Sequence, residues 1–81
     1  MVVKDYILNF KLDSDKESSD EINKYIKDYA KESMMLNVTA MDKGKTLNFS
    51  FNLTMKSGKE ISDLISVMRT IDGISEITFV T

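Results

Sequence analysis

The chain has 81 residues, 11 Lys and Arg against 13 Asp and Glu, a formal net charge of −2, and no histidine, cysteine or proline. Those absences exclude disulfides, thiol catalysis, thiolate metal sites and the commonest general base and metal ligand. The charge balance gives no electrostatic case for nucleic acid, which is held through basic patches.

No apolar run approaches the roughly 18–20 residues of a membrane span. The opening Met1-Val2-Val3-Lys4-Asp5 lacks the apolar region of a signal peptide. A single soluble domain over residues 1–81 is expected, either free-standing or the soluble part of a longer protein.

Residues 2–12 alternate, with Tyr6, Leu8, Phe10 and Leu12 on one face and Asp5, Ile7, Asn9 and Lys11 on the other. This predicts a half-buried strand. A polar connection follows, and Ser18 and Glu21 have the S-x-x-E spacing of a capping box. The helix behind it is expected over residues 19–33, with Ile22, Tyr25, Ile26 and Tyr29 as its apolar stripe and Lys24, Lys27 and Lys31 on a solvent face.

Leu36, Val38 and Ala40 alternate with Asn37, Thr39 and Met41, predicting a second strand over residues 36–41. Asp42-Lys43-Gly44-Lys45 reads as a hairpin turn with glycine at a positive φ. Thr46–Met55 is the cleanest strand: Leu47, Phe49, Phe51, Leu53 and Met55 share one face, and Asn48, Ser50, Asn52 and Thr54 the other. Ser57 and Glu60 form a second S-x-x-E box before a helix ending near Ile71, whose stripe is Ile61, Leu64, Ile65, Met68 and Ile71. Gly73 is expected to stop that helix at its C′ position. The last strand is Ile74–Val80, with Ile77 and Phe79 as its core pair and Ile74 and Val80 on the opposite face.

The order is β-α-β-β-α-β. Each strand has one strongly apolar face, so two helices must cover one side of a four-stranded antiparallel sheet. Right-handed crossovers then favour the ferredoxin-like α+β sandwich, with strand order 4-1-3-2.

That fold hosts many functions, so side chains must decide. An RNA-binding sheet would display aromatics on its open face, where this chain places Ile7, Asn9, Lys11, Asn48, Ser50 and Asn52. A copper-chaperone loop needs Cys-x-x-Cys, and an acylphosphatase-type loop needs glycines and an arginine. The first loop has none of these, and Arg69 is the lone arginine. Asp13, Asp15 and Glu17 are spaced like the first ligands of an EF-hand, but the required glycine and the closing glutamate are replaced by Ser18 and Lys24. A solvated loop is the expected reading. Of the six methionines, Met55 and Met68 match core positions, whereas Met34 and Met35 lie between helix and strand, where partial exposure is the alternative; core filling is the favoured role. No catalytic residue, metal site or cofactor is expected.

The segment Thr46–Met55, the helix after it, and Ile71-Asp72-Gly73-Ile74-Ser75-Glu76-Ile77 resemble the end of an ACT-like domain. More narrowly, they resemble the soluble C-terminal domain of MgtC-type and related small bacterial membrane proteins, which close with an I-x-G-V-x-x-V turn and a strand. Asp5-Tyr6-Ile7-Leu8-Asn9-Phe10 fits the opening strand of that domain. The resemblance implies a non-enzymatic regulatory or assembly domain on the cytosolic side, normally attached to transmembrane helices. The alternative it implies is an ACT module sensing a small metabolite at a subunit interface. Metabolite-binding ACT domains place a glycine where the first strand meets the first helix. Residues 13–19 contain none, so a small-molecule ligand is not expected.

An open sheet of this order has strands 2 and 4 at its edges, and bare edges are usually guarded by charge, bulges or proline. Strand 2 carries no charge before Asp42. Together with the resemblance, this predicts a symmetric homodimer through an edge strand or the adjoining helix face. Leu36, Asn37, Val38, Thr39 and Met41 are the expected interface.

Overall fold

The computed structural model describes residues 5–16 and 19–81. The elements are β1 (Asp5–Asp13), α1 (Ser19–Tyr29), β2 (Ala30–Met41), β3 (Thr46–Met55), α2 (Ile61–Met68) and β4 (Ile74–Val80). All strand pairs are antiparallel, in the order β2-β3-β1-β4, which is 4-1-3-2 read from the other edge. The result is a small α+β fold with both helices on one face of the sheet.

The alternation in β1 and β3 sets that layering. Tyr6, Leu8, Phe10 and Leu12 pair across the sheet with Leu53, Phe51, Phe49 and Leu47. Directly paired residues share a face, so these eight form one apolar surface. Ile22 and Ile26 of α1 and Ile61, Leu64 and Met68 of α2 close over it, and no polar or charged side chain is buried among the described residues. Phe10, Phe49 and Phe51 stack at its centre, with ring centroids 5.3–5.9 Å apart.

Helix α1 stops four residues earlier than the spacing predicts, and β2 starts at once with Ala30. The cause is non-local. The tight turn at Asp42–Gly44, where Asp42, Lys43 and Gly44 all have positive φ, fixes Met41 opposite Thr46. Ten residues of β3 then need a partner back to Met55, which pairs with Ala30. β2 spends 12 residues on this because its register shifts twice, at Lys31 and at Leu36. Lys31 is therefore on the sheet edge, and the lysine stripe expected on α1 loses its last member. The Ser18–Glu21 box lies outside the described residues, since Ser18 is not among them.

The second capping box does not form. Lys56, Ser57, Gly58 and Lys59 make a turn closed by the Lys59 amide donating to the Lys56 carbonyl at 3.0 Å, with Gly58 at φ +79. That φ belongs to the third position of a type II turn and cannot enter a helix of L-residues. The N-cap is instead Glu60, with extended backbone and no side-chain capping bond. Ser57→Ala is accordingly expected to cost less than about 0.5 kcal/mol in a urea melt, where loss of a genuine cap costs about 1 kcal/mol.

At its other end α2 finishes at Met68. The Thr70 and Ile71 amides then bond three residues back, to Val67 and Met68. Gly73 has the expected positive φ, +100, but it serves the turn from Ile71 to Ile74 and not a helix C′.

β4 also departs from the expected phase. Lys11 pairs with Ser75 but Asn9 pairs with Thr78, so Glu76 and Ile77 together face Phe10. This bulge, with Glu76 at φ +50, resets the alternation. Ile74 consequently joins Ile77 against the core, opposite Leu12, and Phe79 meets Tyr6 edge-on at 5.7 Å. Of the pair expected on the open face, Ile74 and Val80, Val80 alone stays there, opposite Ile7.

Candidate functional site

The helical layer covers β1, β3 and part of β4, and β2 overhangs it. Every β2 residue after Ala30 is exposed. Met34 (64% exposed), Leu36 (50%), Met35 (46%), Val38 (45%) and Met41 (36%) form an apolar strip along an unpaired strand edge. The backbone positions them on both faces. Met35 and Val38 pair with Phe51 and Phe49, on the helix side, whereas Met34, Asn37, Thr39 and Met41 pair with Asn52, Ser50, Asn48 and Thr46, on the open side. Leu36 is the extra residue between these two registers.

Leu36, Asn37, Val38, Thr39 and Met41 therefore lie together on one exposed edge. Met34 and Met35 belong to the same strip, although their expected role was core filling. Of the core methionines, Met68 is fully buried and Met55 is packed against the core from its margin. The signal that finds Met34 and Met35 is the hairpin itself: a tight turn and a ten-residue β3 require a β2 reaching back to residue 30.

The two edges differ. On β4 the Glu76 carboxylate pairs with the Lys11 ammonium, directly at the bulge. Charge and irregular backbone together guard that edge. On β2 the charges stand only at the ends: Lys31 and Glu32 at one, Asp42 and Lys43 just beyond the other. Residues 33–41 between them carry none.

Along β1 and β3 the open face is polar apart from Ile7, beside which Val80 lies on β4, with Met34 and Met41 on β2. Ser50 donates to the Asn9 side-chain oxygen, and Thr54 donates to the Asp5 carboxylate at 2.6 Å. Phe10, Phe49 and Phe51 all point to the core, so the face lacks the aromatics of an RNA platform. A shallow depression of about 280 Å³ opens beside the start of β2, lined by Glu32, Ser33, Met34, Asn52 and Thr54.

In the β1–α1 loop the Asp13 carboxylate accepts from the Asp15 amide at 3.0 Å, and Lys16 pairs with Asp72 at 3.5 Å. Asp13 is thus engaged in a local turn. Glu17, the third member of the calcium-like spacing, lies outside the described residues. Among the described residues no group of three or more His, Cys, Asp or Glu gathers as a metal site, and no helix is long and apolar enough to cross a membrane. No protein-family model matches the chain, and no curated protein matches it.

Proposed function

We propose that this chain is a non-enzymatic protein-interaction domain of ferredoxin-like, ACT-like architecture that works by strand pairing along β2. The observation that carries this reading is the edge itself: eleven consecutive exposed residues, five of them large and apolar, with no charge from 33 to 41. Such an edge is a template for another strand. The element order and the sheet order support the architecture.

The partner we propose is a second copy. Antiparallel pairing centred between Leu36 and Asn37 sets Met35 opposite Val38 on the helix side and Met34 opposite Thr39 on the open side. The bulge at Leu36 is what lets both faces match at once. The same register brings Lys31 of each copy opposite Asp42 of the other, with Glu32 near Lys43. A shift by one residue in one direction sets Lys31 opposite Lys43 and Glu32 opposite Asp42, and a shift in either direction sets Met35 opposite a polar residue, Thr39 or Asn37. The likeness of residues 46–77 to MgtC-type domains supports a further part of the proposal: a cytosolic placement, as the soluble part of a longer membrane protein.

Sedimentation over a concentration series tests the pairing. The mass of two chains is expected to dominate as concentration rises, and a one-chain mass throughout overturns the reading. Thr39→Lys adds a charge to the neutral stretch twice, once per copy. It is expected to weaken association at least about tenfold, equivalent to about 1.4 kcal/mol. Unchanged association in that variant would move the seam off β2.

A further inference from the structure

We propose that Met34 and Met35 are oxidation sites through which a peroxide-class oxidant uncouples the β2 edge. The inference rests on the strand-pairing reading above and adds the regulation of that edge.

Three observations converge on these two thioethers. The chain has no cysteine, so methionine holds all of its sulfur. Among the described methionines, Met34 and Met35 are the most exposed, at 64% and 46%, whereas Met68 is sealed in the core. They are also consecutive residues on opposite faces: Met34 pairs with Asn52 and Met35 with Phe51. Oxidising both therefore alters the strip on each side of the seam.

The step balances without any group from the protein. A sulfur lone pair attacks one peroxide oxygen and the O–O bond breaks. The oxygen now bound to sulfur gives up its proton, and the departing oxygen takes one up, directly or through water, to leave as water or an alcohol. The thioether is oxidised by two electrons to a sulfoxide, and the peroxide is reduced. The product is polar where the reactant was apolar. In a paired seam the new S=O dipole of Met35 would sit against Val38 and the Phe49 and Phe51 rings while the neighbouring backbone donors are engaged in strand pairing, which is unfavourable. In the separate chain it would face water. Neither methionine belongs to the buried core, so the modification falls on association and spares the fold.

The test treats the full chain with limiting hydrogen peroxide, maps sulfoxides by peptide mass spectrometry, and compares sedimentation and circular dichroism before and after. Met34 and Met35 are expected to oxidise before Met68, association to weaken at least about tenfold because each sulfoxide counts twice across the two-fold axis, and the far-ultraviolet spectrum to stay unchanged. A methionine sulfoxide reductase should restore association. The double variant M34L/M35L, apolar and inert to peroxide, should stay associated through the same treatment. Sulfoxide at both positions with association unchanged overturns the inference and leaves the strand-pairing reading standing. Equal dissociation of M34L/M35L overturns it as well. A one-chain mass before any oxidant is added overturns both.

Discussion

Phe51→Ala is expected to cost about 3–5 kcal/mol, most of what a domain of this size has to lose. The residue is 4% exposed on β3, which is hydrogen-bonded on both sides, by β1 and by β2. Its ring lies 5.9 Å from those of both Phe10 and Phe49, with interplanar angles of 3° and 22°. Removing it takes away one member of a three-ring stack and leaves a void at the sheet centre. A strand pinned on both edges cannot move in to fill that void, so the cavity cost adds to the lost burial. Asn52, the next residue, faces the open side opposite Ile7, and Asn52→Ala is expected to cost less than about 0.5 kcal/mol. Urea melts of the two variants decide the matter. A larger loss for Asn52→Ala would mean that β3 has the opposite phase, and the layering of sheet and helices would fall with it.

The sequence discloses what is local and repeated. β1 and β3 alternate so regularly that their faces, and with them the side the helices must cover, follow from residue order alone. The boundary between α1 and β2 is a different case. Lys31, Glu32, Ser33, Met34 and Met35 include no β-branched residue, and Lys, Glu and Met are good helix formers. Nothing local marks that stretch as a strand. Its state is decided by pairing with residues some twenty positions later, where β3 requires a partner.

Part of the exposed β2 edge is hidden from the sequence for the same reason. Leu36, Asn37, Val38, Thr39 and Met41 show themselves by alternation and missing charge. Met34 and Met35 become edge residues only once the hairpin is counted out from its turn. The failed capping box at Ser57 teaches a narrower point. S-x-x-E marks a helix start only when the backbone between those residues can be helical, and Gly58 at φ +79 is committed to a turn. In β4 the positive φ of Glu76, a residue type with no particular taste for it, is imposed by the bulge, and alternation alone assigned Ile74 to the wrong face.

Gly73→Ala is expected to be the most damaging change outside the core, at about 2–4 kcal/mol, whereas Gly58→Ala should cost about 1 kcal/mol. Both glycines have positive φ, +100 and +79, so both replacements strain the backbone. The surroundings separate them. A methyl group at position 58 meets nothing within 4 Å, but one at position 73 would lie 2.9 Å from Lys16 Cβ and 3.5 Å from the Asp13 carbonyl oxygen. Lys16 Cβ is the first carbon of its side chain and cannot swing aside without its backbone. That backbone is held by the Lys16 amide donating to the Asp13 carbonyl at 3.0 Å, and the Asp13 amide in turn donates to the Gly73 carbonyl at 2.7 Å. The substitution therefore prises apart the junction where the end of β1 meets the start of β4. For a domain of this size the loss corresponds to a fall of roughly 10–25 °C in Tm. Thermal unfolding of the two variants side by side checks the argument through their order. If Gly73 were only a helix C′ residue, the two alanines would cost about the same. If the close approach to Lys16 matters, Gly73→Ala must melt well below Gly58→Ala.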